Sequence, residues 1–174
     1  AAPLLATALR LAALQPHERA LDLYCGVGLF ALGMARSGAQ VTGLEVSAQA
    51  VEDAAGNAQR NGLAARFVCG DSAALLPKLQ RRGLGPIDCL LLDPPRAGAA
   101  AALPAIVNIA PRRIVYVSCD PATLARDIKM LAAHSYRLQQ AMPLDLFPQT
   151  AHVETVALLA RMAVSVKPAW SNSL

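Results

Sequence analysis

Hydrophobic positions in this chain fall into two alternating patterns, short apolar runs and longer stretches with helical spacing. From 3 to 14, leucines stand at positions 4, 5, 9, 11 and 14, a helical stripe with Pro3 at its start. Residues 20–24 then form a short apolar run that predicts a strand, and Gly26-Val27-Gly28 follows as a tight turn. The same reading predicts further helices over 29–36, 48–60, 72–80, 99–109 and 121–134. Strands are predicted over 40–44 (ending at Glu45), 65–69, 87–92, 113–118, 136–144 and 153–159. Ser47 suits an N-cap, Ser37-Gly38 and Asn61-Gly62 suit helix ends, and Pro121 suits a first helical turn.

Strand and helix alternate at almost every step, which predicts an α/β fold with a doubly wound, mostly parallel, Rossmann-like sheet of seven strands. The last two strands have no helix between them. Parallel pairing needs a long crossover, so the last strand must run antiparallel. No repeat and no linker divides the 174 residues, so a single domain over 1–174 is expected. The polar tail from 168 to 174 is expected to be loose. The opening Ala1-Ala2 carries no methionine, which suggests a C-terminal piece of something longer.

Composition narrows the class. The chain is 55% hydrophobic and 16% charged, enough for a sheet covered on both faces and too apolar for disorder. Its net charge of +4 permits a polyanionic partner without demonstrating one. Cys25, Cys69, Cys89 and Cys119 include no C-x-x-C pair, so no metal site is expected, and reduced thiols in a cytoplasmic protein fit better. No apolar run reaches 18 residues, and no signal peptide is recognisable.

Candidate chemistry lies at the strand ends, where open α/β sheets hold their ligands. Gly26 and Gly28 let the backbone approach a ligand, Glu45 suits a ribose diol, Asp71 an adenine amino group, and Asp93 a ligand ammonium. Asp71 also fits the bland alternative of an N-cap for the helix at Ser72. Gly26-x-Gly28-x-x-Ala31 formally satisfies the dinucleotide fingerprint, which leaves an NAD-linked oxidoreductase open. Asp93 would repel phosphates, however, and the cationic S-adenosylmethionine matches its sign better. Cys119 closes the 113–118 strand just before a helix start, where the positive end of a helix favours thiolate.

Four stretches resemble the RNA uracil-5-methyltransferases, which form 5-methyluridine in ribosomal and transfer RNA. Asp22-Leu23-Tyr24-Cys25-Gly26-Val27-Gly28-Leu29-Phe30 is similar to that family's cofactor loop. Asp93-Pro94-Pro95-Arg96-Ala97-Gly98 and Tyr116-Val117-Ser118-Cys119-Asp120-Pro121-Ala122-Thr123-Leu124-Ala125-Arg126-Asp127 resemble its two most specific signatures. Phe147-Pro148-Gln149-Thr150-Ala151-His152-Val153-Glu154-Thr155 resembles a fourth. The resemblance implies a class I methyltransferase fold and an RNA partner, ribosomal before transfer RNA. It implies Cys119 as nucleophile and Glu154 as base, with His152 as second choice. It also implies an S-adenosylmethionine site lined by Tyr24, Gly26, Gly28, Glu45, Asp71 and Asp93.

The chain departs from the family in places. Asp120 stands where asparagine is common, putting a second negative charge beside the thiol, and Leu29 stands where many members carry asparagine. The family's upstream RNA-binding module, and the iron–sulfur cluster some members hold, have no counterpart in these residues. An amino-directed methyltransferase is the other open reading, although such enzymes often follow Asp-Pro-Pro with an aromatic residue and Arg96 stands there.

Overall fold

The computed structural model describes residues 2–145 and 153–162. In chain order the elements are α1 (Ala2–Ala12), β1 (Arg19–Leu23), α2 (Leu29–Ala35), β2 (Gln40–Glu45), α3 (Ala48–Arg60), β3 (Ala65–Cys69) and α4 (Ser72–Arg81). There follow β4 (Cys89–Leu92), α5 (Leu103–Ile109), β5 (Arg113–Ser118), α6 (Pro121–Ala132), β6 (Tyr136–Leu144) and β7 (Glu154–Arg161). They build one seven-stranded sheet in the order β3-β2-β1-β4-β5-β7-β6. All neighbours pair in parallel except β7, which runs antiparallel to both β5 and β6. The expected α/β sheet is therefore present, and the last two strands form its antiparallel edge, with β7 lying between β5 and β6.

Pleat alternation sorts the strand side chains into two cores. Leu21, Leu23, Leu90, Leu92, Ile114 and Tyr116 pack with residues of α4, α5 and α6 on one face. Ala20, Leu91, Val115, Val117 and Val156 pack with α1 and α2 on the other. Central β4 is buried along its whole length, as a strand covered on both faces must be.

Two element starts differ from expectation by more than one residue. Regular β4 begins at Cys89 rather than residue 87, although the Asp88 amide still donates to the Arg19 carbonyl at 2.9 Å while its carboxylate takes the Arg19 amide, also at 2.9 Å. Helix α5 begins at Leu103 instead of residue 99, after a turn in which the Ala102 amide donates to the Ala99 carbonyl at 2.8 Å. At this amino end of the sheet the charges are paired. Arg113 meets Glu18 at 2.6 Å and also donates to the Ala12 carbonyl at 2.6 Å, while Arg112 meets Asp88 at 3.2 Å. Among the described residues no helix is long and apolar enough to cross a membrane. The tail from 168 to 174, expected to be loose, lies outside the described residues.

Candidate active site

The carboxyl end of the sheet is built differently. After β1 the chain passes through Tyr24 (φ +63°), Gly26 (φ +50°) and Gly28 (φ +90°) before α2 begins. Gly28 is required twice over. Its φ excludes most side chains, and a Cβ there would lie 3.3 Å from both the Ala54 Cβ and the Phe67 ring. Around Gly26 there is open space, with nothing within 4 Å of where a Cβ would stand. The turn is braced from two sides: Glu45 accepts from the Gly26 amide at 3.0 Å, and Asn57 donates to the Val27 carbonyl at 3.0 Å. The second Glu45 oxygen takes the Ser47 amide at 2.9 Å, so both oxygens already hold backbone. Val27, Leu29 and Val46 stand exposed beside this turn and give it an apolar rim.

Asp22, Glu45, Asp71, Asp93 and Glu154 bring acids to this end. Asp22, on β1 directly beneath the turn, is fully buried, and neither carboxyl oxygen makes a hydrogen bond of normal geometry. Burial first, then the charges of Asp93 and Glu45, drives its pKa well above the usual carboxylate range, and the nearby Ala31 amide offsets this only in part. Asp93, in the loop after β4, is pushed up to about 6 by burial and by the charge of Glu154. A crevice of this sign attracts a cation and resists phosphate. Asp71 is the N-cap of α4, one of its oxygens accepting from the Ala74 amide at 2.9 Å. Tyr24 is half-buried, with burial and the Asp71 charge raising its phenol pKa.

Cys119 immediately follows β5 and is partly exposed. Cys25 and Cys89 are buried, their thiols pushed up to about 12 mainly by desolvation, which makes them poor nucleophiles. Cys69 is exposed but ends β3, four strands away across the sheet, roughly 19 Å at ordinary strand spacing. Asp120 does not simply oppose the thiol. Its carboxylate caps α6 by accepting from the Thr123 amide at 2.8 Å, and that bond lowers its pKa. Glu154 opens β7, and because β7 is antiparallel its first residue arrives at the end where β5 finishes. Of the stretch resembling the fourth family motif, residues 147–152, including His152, lie outside the described residues.

All eight residues singled out in the sequence thus stand at one end of the sheet, in the loops after β1 to β5 and at the start of β7. Sequence reading gave no role to Asp22 beyond its place in a motif, although a lone acid in the apolar run Ala20-Leu21-Asp22-Leu23 was its visible signal. It also passed over Asp127, an acid on the buried stripe of α6.

Comparison with known proteins agrees with this geometry. Residues 82–162 match the family model described as tRNA (Uracil-5-)-methyltransferase, and residues 20–84 match a general methyltransferase-domain model. The chain is 49% identical over 146 residues to an RNA methyltransferase of Thermosynechococcus vestitus, covering 82% of this chain and 32% of that protein. It is 48% identical over 161 residues to the 23S rRNA (uracil(1939)-C(5))-methyltransferase RlmD of Thiobacillus denitrificans, covering 91% of this chain and 37% of the relative. Among solved structures it resembles the Pyrococcus abyssi tRNA (uracil-54, C5)-methyltransferase in complex with S-adenosyl-L-homocysteine. That likeness has a TM-score of 0.77 and 34% identity, over 91% of this chain and 38% of that one. The chain spans about a third of the length of the curated relatives it matches. With the two signature loops flanking one acidic crevice and relatives of this kind across most of its length, the chain belongs to the RNA uracil-5-methyltransferase family.

Proposed function

We propose that this chain is the catalytic segment of an enzyme that methylates C5 of a uridine in RNA, with S-adenosylmethionine as donor. The observation that carries the reading is the arrival of Cys119 and Glu154 at neighbouring strand ends beside the acidic crevice. The crevice fits the donor in three respects. Gly26 leaves room for close backbone approach, Val27 and Val46 offer apolar contact to a flat ring, and Asp93 supplies negative charge for a cation. The donor supplies a methyl group on a positively charged sulfur.

Uracil C5 is too weak a nucleophile to take a methyl group unaided. The Cys119 thiolate adds to C6, and the C5–C6 π electrons move into an enolate. C5 then forms its bond to the methyl carbon, while the methyl–sulfur bond breaks and leaves a neutral thioether. Glu154 accepts the C5 proton, the C5–C6 double bond re-forms, and the C6–Sγ bond breaks to return the thiolate. In this scheme Asp93 faces the donor's ammonium, Glu45 both braces the Gly26 turn and faces the ribose, and Tyr24 and Asp71 line the nucleoside end. The RNA partner is ribosomal in preference to transfer RNA, on the 48% identity to the ribosomal enzyme against 34% to the transfer-RNA one. Presenting a flipped uridine falls largely to RNA-binding parts of the protein beyond these residues. The free cysteines suit a cytoplasmic setting.

The test is product analysis. The protein at its natural length is incubated with labelled S-adenosylmethionine and with unmodified ribosomal or transfer RNA, and the nucleosides are separated. Labelled 5-methyluridine supports the reading, ribosomal RNA being the better substrate. A nitrogen-methylated base, or undiminished 5-methyluridine from Cys119→Ala, overturns it.

A further inference from the structure

Helix α6 carries an acid where its buried stripe calls for an apolar residue. Leu124, Asp127 and Leu131 are the buried positions of this helix. Asp127 is 0% exposed. A carboxylate survives there only if its oxygens are engaged, and both are. Oδ2 accepts from the Tyr116 phenol at 2.6 Å and from the Ala99 amide at 2.7 Å. Oδ1 accepts from Nε of Arg126 at 2.9 Å and lies 2.8 Å from its Nη2. The same guanidinium donates to the Ala97 carbonyl at 2.8 Å.

These partners lie on three elements that meet at the crevice. Tyr116 is on β5, three residues before Cys119, and Asp127 is on the helix that starts two residues after Cys119. Ala97 and Ala99 flank Gly98 in the loop that begins with Asp93. Gly98 sits at φ +79°, and a Cβ there would come within 2.5 Å of Arg126 Nη2 and 2.6 Å of Asp127 Oδ2. The loop backbone is pressed against this pair with no room for a side chain.

We propose that Asp127 is a positioning residue: it fixes the 93–99 loop against the Cys119 turn and so holds Asp93 and the thiol at one spacing. The inference rests on the reading that Cys119 attacks the base. Short hydrogen bonds to an ionised acceptor in a buried site are stronger and more directional than packing, so they set a distance where leucine contacts would allow drift. An ångström-scale drift between reacting groups is enough to slow a reaction by about a hundredfold.

The experiment uses Asp127→Asn, Tyr116→Phe and Cys119→Ala in the protein at its natural length, each assayed well below its own thermal midpoint. Asp127→Asn turns one acceptor into a donor that faces the Ala99 amide or Arg126. It is expected to lower kcat by about tenfold or more and, because the loop it holds carries Asp93, to raise KM for S-adenosylmethionine as well. Tyr116→Phe, which removes only the phenol oxygen, is expected to lower kcat less and in the same pattern. Iodoacetamide alkylation mapped by mass spectrometry supplies a readout independent of turnover. Cys119 is expected to react faster by about threefold in Asp127→Asn with Cys69, on the far strand, unchanged. Equal acceleration at both cysteines, or a kcat equal to that of the unaltered enzyme, overturns the proposal. If Asp127→Asn does not fold, Tyr116→Phe decides by the same two measurements. Cys119→Ala separates the two levels: its full activity removes the functional reading, whereas an inert Cys119→Ala beside a fully active Asp127→Asn removes this inference alone.

Discussion

Ser118 of β5 and Thr155 of β7 are direct antiparallel partners, and each stands one step from a residue that matters. Cys119 follows the first and Glu154 precedes the second, so two residues far apart in sequence reach the same end of adjacent strands. Directly opposed residues in such a ladder lie about 5 Å apart, within reach of one pyrimidine ring. Removing the base while keeping the nucleophile should therefore stall the reaction after attack. Glu154→Gln is expected to accumulate a protein–RNA adduct that survives denaturing electrophoresis, and to lose about 10²- to 10⁴-fold in turnover. Cys119→Ala is expected to give neither adduct nor product. An adduct formed by Cys119→Ala would refute the assignment.

Asp22 carries a stability cost that a single substitution should reveal. Its carboxyl is buried without a hydrogen-bonded partner, a condition that costs about 1–3 kcal/mol. Asp22→Leu removes the buried polar atoms at similar volume, so the thermal midpoint at pH 7.5 should rise by about 2–6 °C. Cofactor affinity should change by less than about threefold, because burial disfavours the charged form of this carboxyl. Calorimetry on the free and cofactor-bound protein measures both, and a midpoint that falls would count against the unpartnered carboxyl.

The raised pKa of Asp93 fixes the sign of a pH effect. The folded protein holds the proton up to about 6, whereas the unfolded chain releases it near 3.8. Folded protein thus binds more protons across that window. The stabilisation is fully present below 3.8 and is lost as pH rises through about 6. Asp93→Asn should flatten this part of the profile, measured as the urea midpoint between pH 4 and 7. An unchanged slope would exclude Asp93 as its source.

The two glycines of the turn should respond differently to alanine. Gly28→Ala meets a left-handed φ of +90° and contacts at 3.3 Å, so it should cost about 1–3 kcal/mol and weaken cofactor binding. Gly26→Ala has φ +50°, which side chains tolerate better, and open space around its Cβ. It should be the milder change in stability by about 1 kcal/mol or more. Equal losses in chemical denaturation would show that backbone conformation alone, and not the Phe67 contact, governs the turn.

Much of this molecule is written locally. Helical and strand periodicity, the glycines of the first turn, the caps at Ser47 and Asp71 and the helix start at Pro121 act over a few residues, and each sits where the pattern placed it. The strand-end positions of Glu45, Asp71, Asp93 and Cys119 follow from that alternation alone, because a parallel sheet puts every carboxyl end on one side. Partners were another matter. Nothing local says that β7 enters between β5 and β6, that the Asp88 carboxylate takes the Arg19 amide, or that Asp127 takes the Ala99 amide. Nor does it say that Asp22 is left without a donor. Each of these depends on groups distant in sequence competing for one hydrogen bond or one gap in the sheet, and that competition exists only once the chain has closed on itself.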